Sequence, residues 1–382
     1  MSHTTFSPTL PARGKVTIAQ AVGVYCLVSV WLNLAYPGFK LLNYAMPFFA
    51  LIAVLSEKRL EIPAHAPPYL VLILAGIAIA PTTAVAGWQD LYLMLIGLAP
   101  FCFGYPYRHK WSTIAVFTLI AAVIGIALAK SGHGGGGFEF DAAKSKSSFE
   151  SSTCFVFGLL AVWAALERSW KRAAFAVIMC ILTLKRIVVL AVFITIMVSL
   201  LPRGITLRLL SPLPMVILNA VFLAAVFSYT QGHLDYLIVS FTNQSANQLG
   251  MGRQALYKIP VDTILHSPID FIFHGVGSGG VYDLIKSGRI FAGKPNLHND
   301  MLKILVEYGA LFWVAFISAL YWNRNLPVKI IMLFANTLLL TDNSLIYPFL
   351  IFAIGLVLAN ISASLPKEGG GLNWGSSKPH AS

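Results

Sequence analysis

Twelve apolar runs, each about 13 to 20 residues long and separated by polar punctuation, set the pattern of this chain. They fall at 17–34, 39–56, 68–86, 89–106, 112–129, 153–167, 173–185, 187–201, 211–228, 302–321, 327–341 and 344–362. A helix rises 1.5 Å per residue, so runs of this length approach the thickness of a bilayer's hydrocarbon, about 30 Å. The pattern predicts an all-α polytopic membrane protein of about 12 transmembrane helices. Two longer polar segments interrupt it. Residues 130–152 contain four consecutive glycines and alternating charge, which reads as a mobile loop. The second, 229–301, is too long for a simple turn and predicts one large loop with short helices between helices 9 and 10. The organisation expected is thus 1–228 carrying helices 1–9, 229–301 the large loop, 302–362 helices 10–12, and 363–382 a disordered tail.

Composition agrees with this reading and charge orients it. The chain of 382 residues is 57% hydrophobic and 11% charged, with a mean hydropathy of +0.74, whereas soluble domains carry about 25% charged residues. With the N-terminus inside, alternate short connections collect Lys58 and Arg59, Arg108 and Lys110, Arg168, Lys171 and Arg172, Arg203 and Arg208, and Arg324. That is the positive-inside pattern, and it places both termini in the cytoplasm and the large loop on the outer side. Arg13 and Lys15 precede a full-width apolar run without a small-residue cleavage signature, so the first helix is expected to be retained. The net charge of +12 lies in clusters between apolar runs rather than along one polar face, which argues against nucleic acid as a partner. Cys26, Cys102, Cys154 and Cys180 form no metal or disulfide pattern.

Candidate chemistry concentrates late in the chain. Asn296 is a fair cap for a helix whose apolar pattern begins at Met301, and at 100° per residue His298, Leu302, Leu305 and Gly309 would share one face. A neutral imidazole there can take a proton from a sugar hydroxyl, or serve as a cap or interface group. Upstream, Arg253 opens a helical stretch, RQALYKIPVDTIL, that Pro260 should interrupt. Gly275 and Gly277 belong to HGVGSGG, whose amides could cradle an anion or simply form a loop. Lys185-Arg186 follow a short seventh run, as if two short helices meet at a buried basic pair; such a pair faces protein, water or an anionic ligand, or snorkels to an interface. Glu307 reads as structural. Motifs for a metal-bound sugar nucleotide, a zinc protease, a phosphate loop or a serine hydrolase do not occur, so neither a cofactor nor a metal is expected.

His298-Asn299, nine residues, then Gly309 resembles the signature of the bacterial O-antigen ligase and O-antigen polymerase superfamily. The string Gly252-Arg253, Tyr257, Ser267-Pro268 and Gly275-Val276-Gly277 is similar to that family's large periplasmic loop. Phe312 departs from the pattern, which prefers Gly, Thr or Tyr there. The resemblance implies a metal-independent, inverting membrane glycosyltransferase of GT-C-like architecture in the bacterial inner membrane, active on its periplasmic side. The donor implied is a glycan on undecaprenyl diphosphate; the acceptor is a lipid-linked repeat for a polymerase or the lipid A core for a ligase, with membrane lipid and polysaccharide-assembly proteins as further partners.

In those terms Arg253 and Arg186 would clamp the diphosphate, a task suited to planar bidentate donors. His298 would orient or deprotonate the acceptor hydroxyl. Asn299, Lys185, Lys40, Tyr257, Gly275 and Gly277 would line the substrate site. The paired Arg-X10-Gly motifs of some polymerases are absent, while the His-Asn-Asp opening and the imperfect ligase signature favour the polymerase. A polysaccharide transporter fits less well, since no internal repeat is visible and the polar residues cluster in one loop.

Overall fold

The computed structural model describes residues 17–79, 85–132, 140–141, 146–147, 151–183, 185–250, 252–287 and 296–364. The chain is built from helices. The first six are α1 (Ile18–Ala35), α2 (Lys40–Tyr44), α3 (Met46–Glu57), α4 (Ala66–Ile79), α5 (Val85–Leu98) and α6 (Trp111–Gly132). Next come α7 (Thr153–Leu166), α8 (Trp170–Leu182), α9 (Arg186–Ser199), α10 (Arg203–Leu209) and α11 (Pro212–Thr230). The polar segment holds α12 (Asp235–Thr242), α13 (Ala246–Leu249), α14 (Arg253–His266), α15 (Asp270–Phe273) and α16 (Gly280–Ser287). The chain closes with α17 (Asp300–Tyr321), α18 (Leu326–Leu339) and α19 (Pro348–Ser364). One departure from an all-α fold is a two-residue antiparallel pair, Phe140–Asp141 with Lys146–Ser147. The rest of the glycine-rich loop expected there, Arg13 and Lys15, and the tail beyond residue 364 lie outside the described residues.

Each of the twelve apolar runs overlaps helix within the described residues. Among the described residues five helical stretches, Ile18–Ala35, Pro37–Glu57, Trp111–Leu128, Pro212–Thr230 and Asp300–Tyr321, are long and apolar enough to cross a membrane. Six more are apolar but shorter. The arrangement sorts them physically. Helix α7 is apolar on every side and is buried from Thr153 to Ala165, and α18 is buried from Val328 to Leu339; a helix without a polar face must be enclosed. Around this centre α1, α6 and α11 leave Val24, Val28, Phe117, Val123, Ile217 and Val221 open. So much exposed apolar surface on long helices would be a liability in water and is matched by lipid, which identifies a polytopic membrane protein.

Helix α14 runs unbroken through Pro260, where the sequence suggested an interruption. Proline removes one backbone hydrogen bond, but Leu256, Tyr257, Pro260, Val261 and Ile264 are all buried on one side, and that packing holds the helix together. Helix α17, in contrast, breaks at Gly309, whose φ of 84° is left-handed. The break frees carbonyls of the preceding turn, and the strip 275–277 answers them: Val276 N–H donates to Val306 O (2.9 Å) and Gly277 N–H to Glu307 O (3.0 Å). A side chain at Gly275 would run into the Val306 carbonyl, and one at Gly309 would lie 3.0 Å from the His274 backbone.

At the other end of α17, Lys329 is 5% exposed yet fully paired. Its ammonium donates to Leu210 O and Tyr321 O, both at 2.6 Å, so it caps the ends of α10 and α17.

Candidate active site

His298 occupies the turn immediately before α17. Its φ of 52° is left-handed, a conformation that bends the chain sharply into the helix. Asn299, rather than Asn296, is the cap: it is 1% exposed, and its Oδ1 accepts the Leu302 N–H at 2.9 Å. His298 therefore does not share a helical face with Leu302 and Leu305. The cap one residue later leaves it outside the helix, aimed by the turn.

A second segment meets this turn. The connection between α18 and α19, residues 340–347, is fastened at two points. Asp300, fully buried, accepts the Leu345 N–H at 2.8 Å and the Ser344 hydroxyl at 3.2 Å. The His298 backbone N–H donates to Asn343 Oδ1 at 2.9 Å. Between these clamps Asp342 Oδ1 comes to 3.5 Å from His298 Nδ1, and Asn343 Nδ2 to 3.2 Å from the same nitrogen.

Asp342 gathers more than the imidazole. Its Oδ1 accepts the Asn343 N–H at 2.8 Å and the Tyr347 hydroxyl at 3.3 Å, and its Oδ2 lies 3.5 Å from Lys185 Nζ. Burial pushes the Asp342 carboxyl up, but the contact with His298, the Lys185 charge and the Asn343 N–H outweigh it and hold the group below its ordinary value. Tyr347 moves the other way, raised by burial and by the neighbouring carboxylate. The Lys185 ammonium also sits over the Phe155 ring, 4.6 Å from its centroid, which suits a half-buried cation.

The junction of α8 and α9 delivers Lys185, as the short seventh run suggested, although the pair is not buried together: Lys185 is half-buried and Arg186, the first residue of α9, is exposed. From the polar segment, the Tyr257 hydroxyl donates to His298 O at 3.3 Å. Burial raises that hydroxyl to about 12, with the Arg253 charge pulling it partly back. Arg253 lies one turn before Tyr257 on the same face of α14 and is half-buried. His298, Lys185 and Tyr257 thus converge, with Arg253 acting electrostatically on Tyr257. Lys40 belongs elsewhere, exposed at the start of α2 against α1, α3 and α5. Gly275 and Gly277 bind the break in α17, and the Gly277 amide is spent on Glu307 O.

Below the site, one turn into α17, Lys303 forms an ion pair with Asp90 of α5. Glu307, one turn further, is 1% exposed, and its Oε1 has no hydrogen-bond partner among the described residues.

The arrangement can do acid–base chemistry. An imidazole 43% exposed is held on its Nδ1 side by a carboxylate and an amide, which leaves Nε2 towards the open side, and Lys185 stands behind the carboxylate. Sequence reading missed Asp342, Asn343 and Tyr347. The signal available was that Asp342 is the sole acidic residue between Glu307 and Glu368, placed in the break between the last two apolar runs. Nothing in the spacing linked it to His298.

Residues 172–317 match the family model described as O-antigen ligase, which supports the O-antigen ligase and polymerase superfamily that the His298–Gly309 pattern resembles. The matched stretch contains Lys185, Arg186, Arg253, Tyr257 and His298, while Asp342, Asn343 and Tyr347 lie beyond its end. No curated protein and no solved structure matches the chain.

Proposed function

We propose that this chain, through the segment matched by the O-antigen ligase model, is a membrane glycosyltransferase. It moves a glycan en bloc from undecaprenyl diphosphate to an acceptor sugar hydroxyl in surface-polysaccharide assembly. The observation that carries the reading is the contact of His298 Nδ1 with Asp342 at one end of a membrane-length helix, with Lys185 against the same carboxylate. A base held by an acid can take the acceptor's proton as the hydroxyl oxygen attacks the anomeric carbon from the face opposite the leaving diphosphate, which inverts that centre. The lipid diphosphate departs with the bonding electrons. Arg253 and Arg186 answer the charge that develops on it, a role for which guanidinium forks are suited.

In this reading His298 faces the periplasm at the inner membrane, both termini are cytoplasmic, and the polar segment containing α12 to α16 covers the site. The acceptor we favour is the next lipid-linked repeat, making the chain a polymerase. The description of the matched family model, O-antigen ligase, favours the second reading, in which the chain is a ligase that transfers the finished polymer to the lipid A core.

Reconstitution with purified lipid-linked repeat units tests both. A ladder of products without core acceptor identifies a polymerase, and transfer to added lipid A core alone identifies a ligase. Absence of transfer under either condition overturns the proposal. Loss of activity in chelator, restored by a divalent ion, would overturn the metal-independent form of it.

A further inference from the structure

Which ring nitrogen of His298 carries the proton follows from the groups around it, and Asn343 decides it. A backbone N–H can only donate, so the 2.9 Å contact from His298 N fixes which end of the Asn343 amide is the oxygen. The other end, Nδ2, then lies 3.2 Å from Nδ1 of the same histidine. An amide NH2 carries no lone pair to offer, so this contact is a hydrogen bond only if Nδ1 is unprotonated. Asp342 asks for the opposite, an Nδ1–H, but from 3.5 Å, with its Oδ1 already accepting the Asn343 N–H at 2.8 Å and the Tyr347 hydroxyl at 3.3 Å. The amide contact is the shorter of the two, and among the described residues its N–H has no other acceptor.

We propose that Asn343 is a positioning residue that keeps the proton of neutral His298 on Nε2, so that the imidazole meets its first ligand as a hydrogen-bond donor. Among the described residues no protein group takes that Nε2–H, and the side chain is 43% exposed. The ligand class it fits is an oxygen acceptor, the phosphoryl oxygen of a lipid diphosphate or the lone pair of a sugar hydroxyl. The inference rests on the glycan-transfer reading only for the name of that ligand. For His298 to act as a base through Nε2, this proton has to leave and Nδ1 has to gain one. Asp342 then becomes its acceptor, and the Asn343 amide has to turn aside. Asn343 is in effect a latch on the base.

The test reads nitrogen chemistry directly and needs no substrate. The full chain in lipid nanodiscs, with 15N-labelled imidazoles, is examined by NMR at about pH 8.5, where a free imidazole is neutral; a His298→Gln sample assigns the signal. The expected result is a pyridine-type Nδ1 and a protonated Nε2. In Asn343→Asp, which places an acceptor where the NH2 stood and keeps the oxygen for the backbone N–H, the proton should move to Nδ1. A protonated Nδ1 in the unaltered protein overturns the proposal, and so does a His298 signal unchanged in Asn343→Asp. If Asn343→Asp does not fold, the spectrum of the unaltered protein, assigned with His298→Gln, still decides, because two- and three-bond couplings between the ring nitrogens and the ring C–H protons distinguish the two tautomers. Failure of the transfer assay would remove the proposed activity without altering this spectrum, so the two readings fail separately.

Discussion

Asp342 Oδ1 lies 3.5 Å from Nδ1 of His298, although the two residues are 44 positions apart and belong to different connections of the helical bundle. The contact is imposed from outside by Asp300 and Asn343, which fasten the 340–347 connection to the turn before α17. A base and its orienting acid so held should act as a unit. Asp342→Asn preserves volume and removes the charge, and should lower transfer by about 10²- to 10⁴-fold, the range of a general base. His298→Ala should fall by a similar factor, and the double variant should be little worse than either single. Product ladders quantified against lipid-linked donor check this; full activity in His298→Ala would remove the residue from the chemistry.

The carboxyl of Asp342 also predicts a pH dependence of stability. Its folded value is depressed, so the stabilisation is complete above the unfolded value, about 3.9, and is lost as pH falls through that value towards the folded one. The thermal midpoint in detergent should therefore decline below about pH 4, and the decline should be shallower in Asp342→Asn. A variant with an unchanged slope would show that the carboxylate's contacts do not contribute to folding.

Arg253 should tolerate no conservative replacement. Lysine keeps the charge and loses the planar fork, so Arg253→Lys should transfer at least about tenfold more slowly, with a raised KM for the diphosphate donor. Titration of donor concentration separates KM from kcat. Unaltered kinetics would place the guanidinium outside the donor site.

The half-buried pair Asp90–Lys303 offers a test of the bundle beneath the site. Removing one partner strands the other charge, so Lys303→Met should destabilise the protein by about 1–3 kcal/mol, and Asp90→Asn together with Lys303→Met should recover part of it. Thermal unfolding of the single and double variants measures the coupling.

Gly309 and Gly204 give a matched contrast. Alanine at Gly309 meets a left-handed φ of 84° and the His274 backbone, and should cost about 1–3 kcal/mol. Alanine at Gly204, in α10 with nothing within 4 Å of the added carbon, should be neutral or stabilising by up to about 1 kcal/mol. The same unfolding assay reads both.

Much of this protein was legible in its sequence because a bilayer imposes a length on apolar runs, and each run found by that rule overlaps helix among the described residues. The place of His298 at the entry to the tenth run was legible too, through its spacing to Gly309, and so was the meeting of two short helices at Lys185-Arg186, although that pair is not buried as expected. Two local readings failed for one reason. Pro260 and Asn296 were judged by the preferences of single residues, and burial of one side of α14 and the stronger cap at Asn299 overrode them.

Hydrophobic periodicity thus determined by itself that the chain is a helical membrane protein, and a short motif singled out His298 as the candidate base. They could not determine what that base touches. Asp342 and Asn343 reach His298, and Tyr347 reaches Asp342, only because the connection between α18 and α19 is fastened to the turn before α17 by Asp300 and Asn343. The strip at Gly275 and Gly277 shows the same division. Its glycines announced a close backbone approach, but only the folded chain shows that the partner is the broken turn of α17. Spacing along a chain records periodicity within an element, and contacts between elements are settled by packing.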